Sequence, residues 1–271
     1  MSRVIEGDTV GGYRLVKRLG RGGTGTVYAA ARGAGPPRFA VKVLALDDAT
    51  RDGPALFERE RHLLAEIAHE NVVRLLDSGR DAGASYLVME LLEGETLRAR
   101  LARGRLEGPE LARAGRELLA ALTAIHARGI LHRDLTPANL MLVAGRLVVL
   151  DFGLARLVGD ATITASRGIR LSLAYAPPER FRGEPQSVAS DIYQTGLVLF
   201  EMATGRPAVA ADDPSRLATA HLMKTAPSAR AQVPSLPPLF DHLIARCLRK
   251  APEERYASAP AVLEDWAFLF P

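Results

Sequence analysis

The strongest constraint on the fold of this chain is a change of periodicity near residue 92. Up to about Leu91, apolar and β-branched residues come in short runs: Tyr13 to Leu19, Val27 to Ala31, Phe39 to Leu44, Val72 to Leu76 and Ser85 to Glu90. Turn chemistry separates some of them, at Gly33-Ala34-Gly35-Pro36-Pro37 and Asp81-Ala82-Gly83. One helix, from about Pro54 to Ala68, interrupts the strands. Beyond Glu93-Gly94-Glu95 the pattern turns helical, with Leu111, Leu118, Leu122 and Ile125 on one stripe. Ser190 to Thr204 is apolar on nearly all sides after Asp191, the pattern of a helix buried in a core. The expected fold class is α+β. A small antiparallel β-rich lobe with one key helix (about 9–91) is joined by a short hinge (about 90–94) to a larger, mainly α-helical lobe (about 95–271).

Composition narrows the class further. With 271 residues, 48% of them hydrophobic and 24% charged, the chain can bury one large or two modest cores and is too apolar for disorder. The net charge of +4 comes from scattered arginines rather than a basic block, which argues for a solvated surface and against a nucleic-acid partner. Met1 to Asp8 lacks the apolar core of a signal peptide, and the longest apolar stretch, around Gly196 to Ala203, is too short to span a bilayer. A cytoplasmic location is expected. The single cysteine, Cys247, lies in the apolar run Leu243 to Leu248 and reads as buried filler.

Three short stretches carry the chemistry. Gly20-Arg21-Gly22-Gly23-Thr24-Gly25-Thr26-Val27 comes first, then His132-Arg133-Asp134 with Asn139 five residues past the Asp, then Asp151-Phe152-Gly153. A glycine-rich turn lets backbone N–H groups approach phosphate oxygens; a carboxylate orients an attacking hydroxyl; an Asn and a second carboxylate hold a divalent metal. Each alone is weak, since a glycine fingerprint also opens dinucleotide-binding units. Their joint order and spacing point to phosphoryl transfer from a metal-bound nucleotide. The helix from Pro54 adds a separate signal. At 100° per residue, Leu56, Leu63, Leu64 and Ile67 lie within about 60° of Glu60, so a carboxylate sits amid the apolar face. Such a charge needs a cation, and Lys42 is the candidate, with a structural ion pair elsewhere as the alternative.

The chain resembles a eukaryotic-type protein kinase domain, similar to the bacterial Ser/Thr kinases, from about Tyr13 to the C-terminus as a single domain. Phe39-Ala40-Val41-Lys42 resembles the family's strand-lysine motif, and Ala176-Pro177-Pro178-Glu179 its A-P-E motif. The resemblance implies a two-lobed fold and transfer of the γ-phosphoryl group of ATP to Ser/Thr hydroxyls of protein substrates, including the chain's own activation segment. It implies catalytic roles for Asp134, Lys42, Glu60, Asn139 and Asp151, with Mg²⁺, or Mn²⁺ in its place, held by Asn139 and Asp151. Gly20, Gly22, Gly23, Gly25 and Lys42 would meet the nucleotide phosphates. Val27, Ala40, Met89 and Met141, with Glu90 and Leu92 of the hinge, would surround the base; by periodicity alone the first four are merely core. In the segment Asp151 to Glu179, Thr164 and Ser166 fall in the phosphorylated stretch, and Ser172 falls where the family has a threonine contacting the catalytic loop. Arg133 would receive a phosphate, Asp191 would orient the catalytic-loop backbone, and Glu179 would pair with Arg255. A mobile Ser/Thr loop and a surface arginine are the plainer alternatives. Dimerisation is left open.

Two positions depart from the family pattern. Thr136 stands where Ser/Thr kinases carry a lysine near the γ-phosphate, and Leu171 replaces a glycine. The missing cation suggests a second reading, a nucleotide-binding pseudokinase acting as a regulatory module. A small-molecule phosphotransferase of the antibiotic-kinase type is a third. It fits less well because such enzymes tend to lack the long Ser/Thr-rich segment, the A-P-E-like turn and Arg133.

Overall fold

The computed structural model describes residues 4–22, 25–44, 65–81, 83–151, 173–211 and 213–271. The chain divides between Glu93 and Gly94 into two compact units. The first is built on strands β1 (Thr9–Val10), β2 (Tyr13–Gly22), β3 (Gly25–Arg32), β4 (Phe39–Leu44), β5 (Leu75–Asp81) and β6 (Ala84–Glu90). They form one antiparallel sheet in the order β1-β2-β3-β4-β6-β5.

Side chains alternate along each strand, and directly paired residues share a face. Tyr13, Leu15, Tyr28, Ala30, Val41, Tyr86 and Val88 all bury on one face and, with Val10, form a core. The pairs Val27↔Lys42, Lys42↔Leu87 and Ala40↔Met89 therefore occupy the opposite face. Two bulges in β2 bring Gly20 opposite Val27 and Gly22 opposite Gly25, onto that same second face.

Two boundaries differ from expectation. The strand expected at Val72 to Leu76 begins only at Leu75 and runs to Asp81, because its register with β6 extends from Leu75↔Met89 to Asp81↔Ala84. Among the described residues β5 is paired on one side only, and it carries Asp77, Ser78 and Arg80, so hydrophobicity does not mark it. Val72 and Val73 are buried beside it without belonging to it. Of the helix expected over 54–68, only the end lies among the described residues: Ala65 is helical, whereas Ile67 and Ala68 are not, although Ile67 is buried.

The second unit is helical around a small sheet, β7 (Glu95–Thr96), β8 (Leu140–Val143) and β9 (Arg146–Val149). Its described helices are α1 (Leu97–Leu101), α2 (Gly108–His126), α3 (Pro178–Arg182), α4 (Val188–Thr204), α5 (Pro214–Met223), α6 (Phe240–Cys247) and α7 (Ala259–Leu269). α2 buries Leu111, Leu118, Leu122 and Ile125, the stripe read from the sequence. α4 is the centre of the unit, with every residue from Ser190 to Ala203 buried, and it ends at Gly205 in the left-handed conformation.

Small residues set the helix spacing. A Cβ on Gly196 of α4 would stand 2.6 Å from the Cβ of Cys247 on α6. Burial pushes the Cys247 thiol up to about 12, so this cysteine is inert packing. At Gly115 on α2 a Cβ would stand 2.1 Å from Trp266 Cζ2, and Trp266 is itself fully buried with its indole N–H on the Ala112 carbonyl at 2.9 Å. Gly115→Ala is therefore expected to destabilise by about 1–3 kcal/mol through overpacking, overriding the roughly 1 kcal/mol that alanine gains in helix propensity. A urea midpoint at or above that of the wild type would refute the close contact. Among the described residues no helix is long and apolar enough to cross a membrane.

Candidate active site

A helix buried on all sides can carry polar side chains only where each has a partner, and the partners of α4 define the catalytic loop. Asp191, fully buried, accepts the backbone N–H of His132 through Oδ2 and that of Arg133 through Oδ1, each at 2.8 Å. Its Oδ2 also meets His126 Nε2 at 2.8 Å. One turn on, Gln194 accepts from Leu135 N and donates to the Arg133 carbonyl, both at 3.2 Å. These bonds hold Arg133 at φ 68°, a left-handed conformation that costs a non-glycine residue about 1–3 kcal/mol. Asp191 thus orients the loop backbone, as the sequence led us to expect; Gln194 and His126 were not foreseen.

His132 is fully buried and its Nε2 meets the Leu150 carbonyl at 3.0 Å. Burial pushes its imidazole pKa down against the pull of Asp191, Asp134 and Asp151, so the ring is neutral. With Nε2–H on that carbonyl, Nδ1 is left to accept from Asp134 N at 3.3 Å. Asn139 closes the 3₁₀ turn Pro137–Asn139, and its amide nitrogen donates to the Asp134 carbonyl at 2.7 Å and to Asp134 Oδ2 at 3.1 Å. That leaves the Asn139 amide oxygen as the end available to a cation. Asp151 takes a φ of 54° just beyond Leu150, whose N–H is held by the Asn139 carbonyl at 2.9 Å. An amide oxygen and a carboxylate are hard oxygen donors, and two such ligands suit Mg²⁺ arriving with nucleotide phosphates. The chemistry of the set fits the cofactor.

In the first unit, Gly20 and Gly22 lack positive φ, and a Cβ on either would meet nothing within 4 Å. Neither the backbone conformation nor packing among the described residues calls for glycine there. Gly25 differs, since its φ of 151° and a Cβ only 2.3 Å from the Val43 carbonyl both demand glycine. Val27, Ala40, Lys42 and Met89 share the face of these glycines, and Lys42 is 2% exposed. Glu90 and Leu92 are half-buried at the end of β6 and just beyond it. Met141 lies in β8 of the second unit, half-buried. Gly23, Glu60, Thr164, Ser166 and Ser172 lie outside the described residues, as do Phe152, Gly153 and Leu171.

Around the A-P-E-like turn, Glu179 and Arg255 form a buried two-point pair, Nη1–Oε1 at 2.8 Å and Nη2–Oε2 at 2.9 Å. The other Arg255 donors reach the carbonyls of Arg249, Ala189 and Lys250, so all five are used. Half-exposed Arg98 and buried Tyr175 and Glu201 form a second cluster that the sequence reading missed: Arg98 donates to Glu201 at 2.7 Å and to the Tyr175 hydroxyl at 2.5 Å, and Tyr175 donates to Glu201. The signal was a glutamate late in an otherwise apolar buried helix. Among the described residues the Nε of Arg133 is buried without a hydrogen-bond partner.

Comparison with known proteins agrees with this arrangement. The family profile described as protein kinase domain matches residues 13–267. The probable serine/threonine-protein kinase PknB of Bifidobacterium longum is 36% identical over 269 residues, covering 94% of this chain and 39% of that protein. The serine/threonine-protein kinase PrkC of Bacillus subtilis is 33% identical over 258 residues, covering 94% and 40% respectively. This chain thus spans about two fifths of the length of the curated relatives it matches. Among solved structures, the Mycobacterium tuberculosis PknI kinase domain is 27% identical, with a TM-score of 0.77 over 98% of this chain and 99% of that one. With the motifs, the two-unit fold and these likenesses in agreement, the chain belongs to the protein kinase domain family.

Proposed function

We propose that this chain transfers the γ-phosphoryl group of ATP to Ser/Thr hydroxyls of protein substrates, with Mg²⁺ as the working metal. The observation that carries the reading is the catalytic loop itself. Asp134 is oriented by Asn139, its neighbour Arg133 is held in a strained conformation, and a buried aspartate on α4 fixes the backbone N–H groups of His132 and Arg133. Relatives named as Ser/Thr kinases at 33–36% identity support the substrate class. When bound, Mg²⁺ neutralises charge developing on the transferred phosphoryl. Asp134 orients the acceptor hydroxyl and takes its proton; Asn139 and Asp151 supply the metal's protein ligands; Lys42 contacts phosphate and Glu60 holds it. Gly20, Gly22, Gly23 and Gly25 approach the phosphates, while Val27, Ala40, Met89, Glu90, Leu92 and Met141 meet the base. Arg133, with its unpartnered Nε, receives a phosphate carried by Thr164 or Ser166, and Ser172 steadies the catalytic loop. A cytoplasmic site of action follows from the need for ATP.

The test is incubation of the purified protein with labelled ATP, Mg²⁺ and a protein acceptor, beside an Asp134→Asn control. Label entering Ser/Thr in the wild type alone supports the reading, and no label in either refutes it.

Thr136, 6% exposed at the start of the 3₁₀ turn, bears on rate rather than identity. Thr136→Lys should raise transfer by about one to two decades with little change in ATP affinity, because the added charge-assisted bond strengthens mainly in the transition state. A neutral or harmful effect would mean that another basic residue already supplies this charge. Absence of transfer in both forms, with normal nucleotide binding, would instead favour the regulatory reading.

A further inference from the structure

An open cleft of about 480 Å³ lies between α6 and the chain that runs from the 3₁₀ turn Pro252–Glu254 through α7. Leu243 and Tyr256, both buried, form its floor. Its charges are sorted by wall. His242, Arg246 and Arg249 recur every three or four residues along α6 and just past its end, while Glu254 and Asp265 stand on the other wall. Arg246 lies over the Tyr256 ring at 4.1 Å, and Asp265 accepts the Tyr256 hydroxyl at 2.6 Å, so these two help to hold the floor. Arg249 and Glu254 are exposed, and among the described residues their side chains make no hydrogen bond or ion pair. The cleft also carries an apolar knob. Phe240, Trp266 and Phe270 close on one another, with ring centroids between 4.5 and 6.3 Å apart. Phe268 stays outside that cluster: it lines the cleft and is 76% exposed.

We propose that this cleft is the contact surface of a two-fold dimer of the chain, in which Phe268 of each copy is seated in the cleft of the other. The proposal goes beyond the kinase reading and does not rest on it. A two-fold contact is self-complementary: where residue i of one copy meets residue j of the other, j also meets i. A surface can fit its own copy in this way only if it carries both halves of every contact. This one does, with a protruding ring beside a cleft of apolar floor, and a cationic wall opposite an anionic one. Across the two-fold, the arginines of α6 in one copy face Glu254 and Asp265 of the other, and symmetry supplies the reverse contact. A foreign partner would have to reproduce this arrangement of ring, cations and acids, whereas a second copy has it by construction. The lining of the cleft falls short of the roughly 20–30 residues a side of a stable interface, so the expected dissociation constant is weak, on the order of 10–100 μM.

The test is sedimentation equilibrium of the whole chain from about 1 to about 300 μM, a range that brackets this constant. The wild type is expected to pass from monomer toward dimer, and no further, as concentration rises. Phe268→Ala, which removes an exposed ring and leaves the core untouched, should weaken the dimer at least about tenfold. Arg249 and Glu254 are the residues for a charge exchange, because neither side chain holds the fold. In an Arg249→Glu dimer like charges face each other twice as acids, and in a Glu254→Arg dimer twice as cations, so each variant alone should stay monomeric. An equimolar mixture of the two restores an opposite pair at both contacts and should dimerise again, at close to the wild-type constant. A wild type that is monomeric throughout the range overturns the proposal and leaves the cleft to a partner of other chemistry. A dimer that survives Phe268→Ala and both charge variants unchanged lies elsewhere on the surface and overturns it too. So does a mixture that associates no better than its components. If either charge variant does not fold, Phe268→Ala that dimerises like the wild type overturns the proposal alone.

Discussion

Asp134→Asn is expected to lower phosphoryl transfer by about two to four decades while leaving Mg-ATP affinity within a few-fold. The carboxamide keeps the shape of the side chain and an oxygen to accept from Asn139 Nδ2, now 3.1 Å from Asp134 Oδ2, so the loop geometry survives. What is lost is the group that takes the proton of the acceptor hydroxyl. Asp151→Asn should behave differently, because a carboxylate oxygen offered to the metal serves nucleotide binding as well as chemistry. Both affinity and transfer should then fall. Nucleotide titration beside labelled-ATP transfer separates the two, and equal losses of affinity in both variants would overturn the division of roles.

The pairing of Asp134 with Asn139 was legible in the sequence because the loop is local: the two are five residues apart and meet within one turn. The strand-to-helix switch was legible for a similar reason, since β3, β4, β6 and β8 are apolar runs bounded by turn residues. β5 was misplaced because an edge strand need not be apolar, and its register is fixed by β6 rather than by its own pattern. The positioning groups were harder. Gln194 and Glu201 are polar residues in a buried helix and were not singled out, because their partners, the backbone of residues 133–135 and the pair Arg98 and Tyr175, are between 26 and 103 residues away in sequence. No local spacing encodes such contacts. Gly115 gave no signal either, for its reason is the ring of Trp266.

Arg255→Ala is expected to destabilise the protein by about 3–5 kcal/mol, because Glu179 is left as a buried charge without its cation. For a chain of this size that lowers the thermal midpoint by about 10 °C. Glu179 is 2% exposed and Arg255 3%, and beyond the two-point pair Arg255 also closes three backbone carbonyls that no neighbour can take over. The acid dependence distinguishes this from simple loss of packing. In the wild type, burial raises the Glu179 pKa, but hydrogen bonds from Arg255 and Ser190 outweigh it and hold the carboxyl below its ordinary value. The pair's contribution is therefore present at neutral pH and lost only as pH falls beneath the usual carboxylate range. Without Arg255 the balance reverses: burial raises the pKa above the unfolded value, and the folded state gains from protonation. The deficit of Arg255→Ala relative to wild type should thus be largest near neutrality and shrink on acidification, and Glu179→Gln in the same chain should recover part of it by removing the unpaired charge. Denaturant midpoints for the three proteins across that pH range measure this directly. A deficit independent of pH, or no recovery in the double variant, would mean that Arg255 acts through its three backbone carbonyls and not through Glu179.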